Sequence, residues 1–126
     1  MLKLWNGTRT LVLLAIAALL TTPFTTAQTL SKAELKKLIA TASTPQDHER
    51  VARHYDAKAA QLEAEAKEHK QLAAEYARKP TGHEQKHPMS GRTAEHCKFF
   101  AEKFREAAKE ARQLAADHRQ MIKAEE

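Results

Sequence analysis

The sequence predicts an all-α protein whose main part is an antiparallel helical hairpin. Two long segments repeat alanine at every seventh residue, and one Pro- and Gly-rich stretch separates them. Four potential ligand residues also fall into two pairs placed symmetrically about that stretch. A heptad column of alanine lets two helices approach closely. We therefore predict an alanine-seamed coiled coil with a short N-terminal helix, which dimerises to a four-helix bundle.

Residues 1–27 are predicted to be a signal peptide. Lys3 and Arg9 make the start basic, the apolar run LVLLAIAALL begins at Leu11, and small residues end at Ala27. Ten apolar residues are too few to span a bilayer, which takes about 20. We expect cleavage after Ala27, a periplasmic or secreted protein, and no stable membrane insertion of the mature chain.

The segment 28–44 is predicted to hold a short helix and a linker. Ser31 and Glu34 have the spacing of a capping box, and a short apolar stripe follows them. The helix should end near Ser43, before the chain restarts at a Thr-Pro pair.

The hairpin itself is predicted over 45–126. Its first helix should run over about 45–78, because Pro45 follows a threonine that can cap the helix. The connection over 79–92, KPTGHEQKHPMSGR, holds two prolines and two glycines. The second helix should run over about 93–123.

The two long helices look like copies of each other, offset by 49 residues. One heptad column is alanine: Ala52, Ala59, Ala66 and Ala73 on the first helix, and Ala101, Ala108 and Ala115 on the second. The other column holds mostly larger side chains: His48, Tyr55, Leu62, His69 and Tyr76 on the first helix, and Cys97, Phe104, Ala111 and His118 on the second. This pattern indicates an internal duplication with a pseudo-two-fold axis.

The register of the hairpin follows from four of these residues. In an antiparallel hairpin, the position numbers of facing residues add up to a constant. That sum is 166 both for His48 with His118 and for His69 with Cys97. Half of that sum is 83, which lies inside the predicted connection. The sequence therefore predicts two facing pairs, one at the open end and one at the loop end.

Six residues are candidate metal ligands: His48, His69, His96, Cys97, His118 and Met121. The connection adds His83, His87 and Met89 as further possibilities. Imidazole, thiolate and thioether suit copper or zinc, whereas magnesium and calcium require oxygen ligands. Structural zinc prefers four ligands, and two hairpins related by a two-fold axis could supply the loop-end pair twice. His54 should point away from these sites, to the surface.

An alternative interpretation gives the same residues no metal. Histidines at heptad positions can fix helix register as a buried asparagine does, and Cys97 can fill a small space. The protein would then be a structural or protein-interaction module, chaperone-like or acting in envelope stress, with an unidentified protein partner. The unpaired Cys97 could also form an intermolecular disulfide.

Size and charge disfavour other classes. The mature chain of 99 residues has 19 basic and 16 acidic residues, a net charge of +3 with both signs interspersed, which is not the basic stripe of a nucleic-acid-binding protein. A short hairpin offers no cleft for catalysis, so we expect no enzyme. So small an alanine-rich core also makes a homodimer the expected state.

The motifs His48-x6-Tyr55, His69-x6-Tyr76, Met89, His96-Cys97 and Leu114-Ala-Ala-Asp-His118-x-x-Met121 carry a resemblance. Together they resemble an uncharacterised family of short exported bacterial α-helical hairpin proteins, which implies the fold and the export and no activity. More loosely, an exported hairpin with His118 and Met121 one turn apart is similar to periplasmic heavy-metal resistance and sensing proteins. That similarity implies metal binding.

Overall fold

In a computed structural model, residues 29–82 and 84–124 are described. Three α-helices make up this part of the chain, and it contains no β-strand: α1 is Lys32–Thr41, α2 is Pro45–Arg78 and α3 is Ala94–Ala124. Helices α2 and α3 pack against each other as an antiparallel hairpin, and α1 packs against α2. The predicted all-α hairpin is thus confirmed, while the predicted signal peptide over 1–27 lies outside the described residues.

Side-chain caps fix where the first two helices begin. The Glu34 N–H donates to Ser31 Oγ at 3.3 Å, and the Ser31 N–H donates to the Glu34 carboxylate at 2.9 Å, which completes a capping box. At α2 the Asp47 N–H donates to Thr44 Oγ1 at 3.2 Å, and Pro45 occupies the first helical position. Proline is tolerated there because its missing N–H would have no partner within the helix.

Helix α3 begins one residue later than the sequence suggests, because Thr93 acts as its cap. The fully buried Thr93 hydroxyl accepts the His96 N–H at 3.2 Å and contacts the carbonyl oxygens of Pro88 and Ser90. Earlier in the connection, Gly82 has φ +83°, a backbone conformation that favours glycine. The connection is therefore tied to the first turn of α3.

Alanine forms most of the buried interface between α2 and α3. The buried alanines are at most 6% exposed: Ala52, Ala59, Ala66, Ala73, Ala101, Ala108, Ala111 and Ala115. Alanine has no side-chain entropy to lose and little volume, so the two backbones can approach closely. The described chain contains no helix long and apolar enough to cross a membrane.

One side of this alanine seam is ionic. Arg119 lies 2.6 Å from the Asp56 carboxylate and 3.5 Å from that of Glu49, and Arg112 lies 2.5 Å from that of Glu63. Four of these five residues follow a seam alanine by four positions, which places them on the same side of their helices. We call this the ionic side.

The opposite side carries the aromatic residues and is only partly covered. We call it the aromatic face, and it consists of Tyr55, Leu62, His69, Leu72 and Tyr76 on α2 and Phe100, Phe104, Leu114, His118 and Met121 on α3. Each of these residues follows a seam alanine by three positions or comes one position before the alanine column. Lys58 and Glu65 also come one position before seam alanines, so two charged side chains lie at the edge of this face. Most are half-buried, whereas Leu114 is 42% exposed and Met121 is 46% exposed.

Candidate functional site

The structure brings His48 and His118 together at the open end of the hairpin. His48 lies in the first turn of α2 and is buried, and His118 lies near the end of α3. Their Nδ1 atoms are 3.0 Å apart although the residues are separated by 70 positions in sequence. At this distance one nitrogen donates a hydrogen bond and the other accepts it, so at least one of the two rings is neutral.

The surroundings of His118 favour its neutral form. Burial lowers the pKa of His118, the charge of His48 lowers it further, and Asp117 opposes the shift. The Tyr55 ring stacks near the His118 ring at 6.4 Å between centroids and an angle of 20°. A neutral imidazole is the form that binds metal ions, so this environment suits a ligand.

The separation of the two nitrogens can be compared with metal geometry. A tetrahedral zinc ion with Zn–N bonds of about 2.0–2.1 Å holds two nitrogen ligands about 3.3 Å apart. A linear two-coordinate ion with bonds of similar length would hold them about 4 Å apart. The observed 3.0 Å between His48 Nδ1 and His118 Nδ1 is therefore closer to the tetrahedral spacing.

Met121 lies one turn beyond His118 and is 46% exposed. In the two ranges that the structure describes, no group of three or more His, Cys, Asp or Glu side chains is arranged to hold a metal ion. A single hairpin therefore provides two converging imidazole nitrogens at its open end, with a thioether nearby.

His69 has an apolar setting at the loop end. Its ring lies 5.3 Å from that of Phe104, 5.8 Å from that of Phe100 and 6.3 Å from that of His96 between centroids. The buried Nδ1 atom of His69 has no hydrogen-bond partner among the described residues. The Nδ1 of His96 instead lies 3.2 Å from the carbonyl oxygen of Met89. His69 is thus held by ring packing rather than by a polar partner.

Cys97 is buried, with 1% of its surface exposed, and burial raises the pKa of its thiol. Across the described chain, no hydrogen bond joins Cys97 to His69, and the Cys97 N–H donates to the Thr93 carbonyl at 3.2 Å. The thiolate is the form that binds metal, so a metal here would first have to displace the proton of a buried thiol. The environment of His69 and Cys97 therefore favours metal binding less than that of His48 and His118.

The remaining histidines have separate positions. His87 is exposed in the connection, and His83 lies outside the described residues. His54, which the sequence places at the surface, is half-buried, and its Nδ1 accepts the Leu30 N–H at 3.0 Å. Burial, followed by the charge of Lys58, lowers the pKa of His54. Residue spacing does not reveal this role, because the contact depends on how α1 folds back onto α2.

Comparisons of the chain with protein-family models, with curated proteins and with solved structures give no match.

Proposed function

We propose that this protein is a non-enzymatic, exported helical hairpin of the periplasm that binds a borderline metal ion, zinc or copper, through His48 and His118. The observation that carries the proposal is the 3.0 Å approach of their Nδ1 atoms. Two imidazole nitrogens from different helices meet at nearly the spacing of ligands on a tetrahedral ion. The basic and apolar segments before Ala27 support export.

His69, His96 and Cys97 are proposed as a secondary ligand set. The rings of His69 and His96 lie 6.3 Å apart between centroids and Cys97 follows His96 in sequence, but the buried thiol and the ring packing of His69 oppose binding there. Met121 is proposed as an accessory ligand at the open end, because this residue, 46% exposed, lies one helical turn after His118. We further propose that the hairpin packs as a coiled coil and dimerises to a four-helix bundle.

A second candidate function is a structural or protein-interaction module in which the histidines set helix register. The Nδ1 contact of His48 with His118 supports it too, because that contact is itself a hydrogen bond between the two helices. A polar pair at one seam position disfavours any shifted alignment of the helices, since a shift would break the bond.

The test is to express the full-length chain, purify the exported protein under reducing conditions, and measure zinc, copper and nickel by elemental analysis. Thermal melting with and without each metal is measured beside it. At free metal of about 100 times the dissociation constant, binding to the folded state adds about 2.7 kcal/mol of stability. The melting temperature should then rise by roughly 11–22 °C.

The deciding variant is His118→Ala, with His87→Ala as the matched control because His87 is exposed in the connection. We expect the first to lose stoichiometric metal and the second to keep it. No uptake by the wild-type protein, together with an unchanged melting temperature, would leave the register function as the better explanation.

A further inference from the structure

The aromatic face of the hairpin is incompletely covered in a single chain. The ionic side is closed by arginine and carboxylate pairs, whereas the aromatic face leaves Leu114 and Met121 exposed and the rings of Phe100 and Phe104 half exposed. Single exposed apolar residues are ordinary, but a mainly apolar strip along two helices, with the charged Lys58 and Glu65 at its edge, is typical of an interface.

The size of this face fits a stable protein interface. From His48 to Tyr76 the strip is about 40 Å long at 1.5 Å per residue, and two adjacent helices are about 20 Å across. The rectangle that the two helices span along this strip has an area of about 800 Å², of the same order as the accessible surface that each partner contributes to an interface of standard size. One long helix would cover about half of it, whereas a second hairpin would cover all of it.

A second copy of this chain is the occupant that fits best. A two-fold axis places identical faces against each other, so each copy covers the strip of the other. With the two open ends together, α2 of one copy lies antiparallel to α3 of the other at the same levels. Lys58 then lies within about one turn of Glu110 of the second copy, and Glu65 within about one turn of its Lys103. The rim charges are therefore complementary.

We infer that two hairpins dock through their aromatic faces with their open ends together, and that the two His48–His118 pairs form one four-imidazole site for Zn²⁺. The inference rests on the proposed function, because it completes the same site. Each hairpin supplies two nitrogens 3.0 Å apart, and structural zinc takes four ligands. A dimer with its open ends apart would leave each pair incomplete, about 50 Å from the other.

The first experiment determines the mass and the zinc content of the exported full-length product by sedimentation equilibrium and elemental analysis after exposure to zinc chloride. We expect a dimer that holds one zinc ion for two chains. A monomer that holds one zinc ion per chain would overturn the inference and leave the proposed function standing. A dimer that holds no zinc would overturn the four-imidazole zinc site, and if the same protein also takes up no copper, the proposed function is overturned with it.

The docking surface is tested with Leu114→Glu. Because Leu114 is already 42% exposed, a glutamate there should leave the hairpin folded, which circular dichroism checks. We expect the dimer dissociation constant to rise at least 100-fold. The matched control, Ala116→Glu, places the same charge at an exposed position of α3 outside the aromatic face, and it should remain dimeric. Equal behaviour of the two variants would refute the docking surface.

Orientation is tested by spin labels at residue 120, using Gln120→Cys in a Cys97→Ala background. Gln120 is exposed near the open end of α3. With open ends together the two labels should lie about 30 Å apart, and with open ends opposed about 50 Å apart, from the length of the helices. A distance near the larger value would contradict the shared zinc site.

Discussion

His69 and His118 occupy equivalent positions in the two long helices, 49 residues apart, yet their neighbours differ. His118 meets His48 through a direct contact between Nδ1 atoms, whereas His69 packs against phenylalanine rings and leaves its buried Nδ1 without a hydrogen-bond partner in the described chain. The residue that meets His118 is His48, whereas the register of the hairpin predicts Cys97 opposite His69. Equivalent positions thus acquire different chemistry because their neighbours differ.

The largest expected effect is at the loop end, where Phe104 packs on His69. Phe104→Ala should lower the free energy of unfolding by about 2 kcal/mol, less than the 3–5 typical of a fully buried ring because Phe104 is half-buried. Urea denaturation at a fixed protein concentration measures it. Phe99→Ala is the control, since Phe99 is 44% exposed and its loss should cost much less. If the two substitutions lower the free energy of unfolding equally, the packing of Phe104 on His69 does not stabilise the loop end.

Two matched substitutions should have opposite signs. His118→Leu removes a hydrogen-bond partner of the buried His48 imidazole and should cost about 1–2 kcal/mol. His69→Leu removes a buried nitrogen that has no hydrogen-bond partner in the described chain and should stabilise the protein by about 1 kcal/mol. Both are measured by urea denaturation without metal. If the two variants shift stability in the same direction, the contrast between the two ends is wrong.

Acid should weaken the open end selectively. The pKa of His118 is lowered in the folded state by burial and then by His48, so below the ordinary histidine value the unfolded chain binds more protons than the folded one. Stability should therefore fall as pH drops from 7.5 to 5.5, by on the order of 1 kcal/mol, the value of one hydrogen bond. His54 adds a fall in the same direction, since its pKa is also lowered.

Stability measured at several pH values in His118→Leu checks this expectation. The dependence on pH should shrink in that variant and persist in Phe104→Ala, because the phenylalanine has no proton to exchange. An undiminished dependence in His118→Leu would assign it to other groups.

The smallest expected effect concerns the ionic side at the open end. Arg119 contacts both Asp56 and Glu49, but these side chains are about 40% exposed. Arg119→Ala should therefore cost only about 0.5–1 kcal/mol at low salt and nothing measurable in molar salt. Lys98→Ala is the loop-end comparison, since Lys98 pairs with Glu95 on its own helix. If Lys98→Ala lowers the free energy of unfolding more than Arg119→Ala does, the ion pairs of the open end are not the more stabilising ones.

Much of the hairpin follows from local sequence. Ser31 with Glu34 and Thr44 with Pro45 mark helix starts because capping uses residues at fixed short separations. The approach of His48 to His118 also follows, since an antiparallel pair has one register once its turn is located. The alanine column lets the two helices approach closely in that register.

Other features of the site could not be read from the chain. The half-buried His54 is bound by the Leu30 N–H, and that contact depends on the direction in which α1 leaves its linker. Heptad spacing places His69 opposite Cys97, but it does not show that Phe100 and Phe104 pack around the imidazole. Side-chain rotamers and helix rotation decide which atoms meet, and spacing fixes neither.

The sequence by itself determined where the helices lie, that the two long helices run antiparallel, and at which level along the hairpin each histidine lies. Caps, turn residues and heptad spacing depend on residues a few positions apart, and the antiparallel register depends only on where the turn lies. Only the tertiary structure decided that the open-end nitrogens touch, that the loop-end nitrogen is enclosed by rings, and that the apolar strip is left partly exposed. These outcomes depend on packing between residues up to 70 positions apart. Such packing depends on the shape of both partners at once.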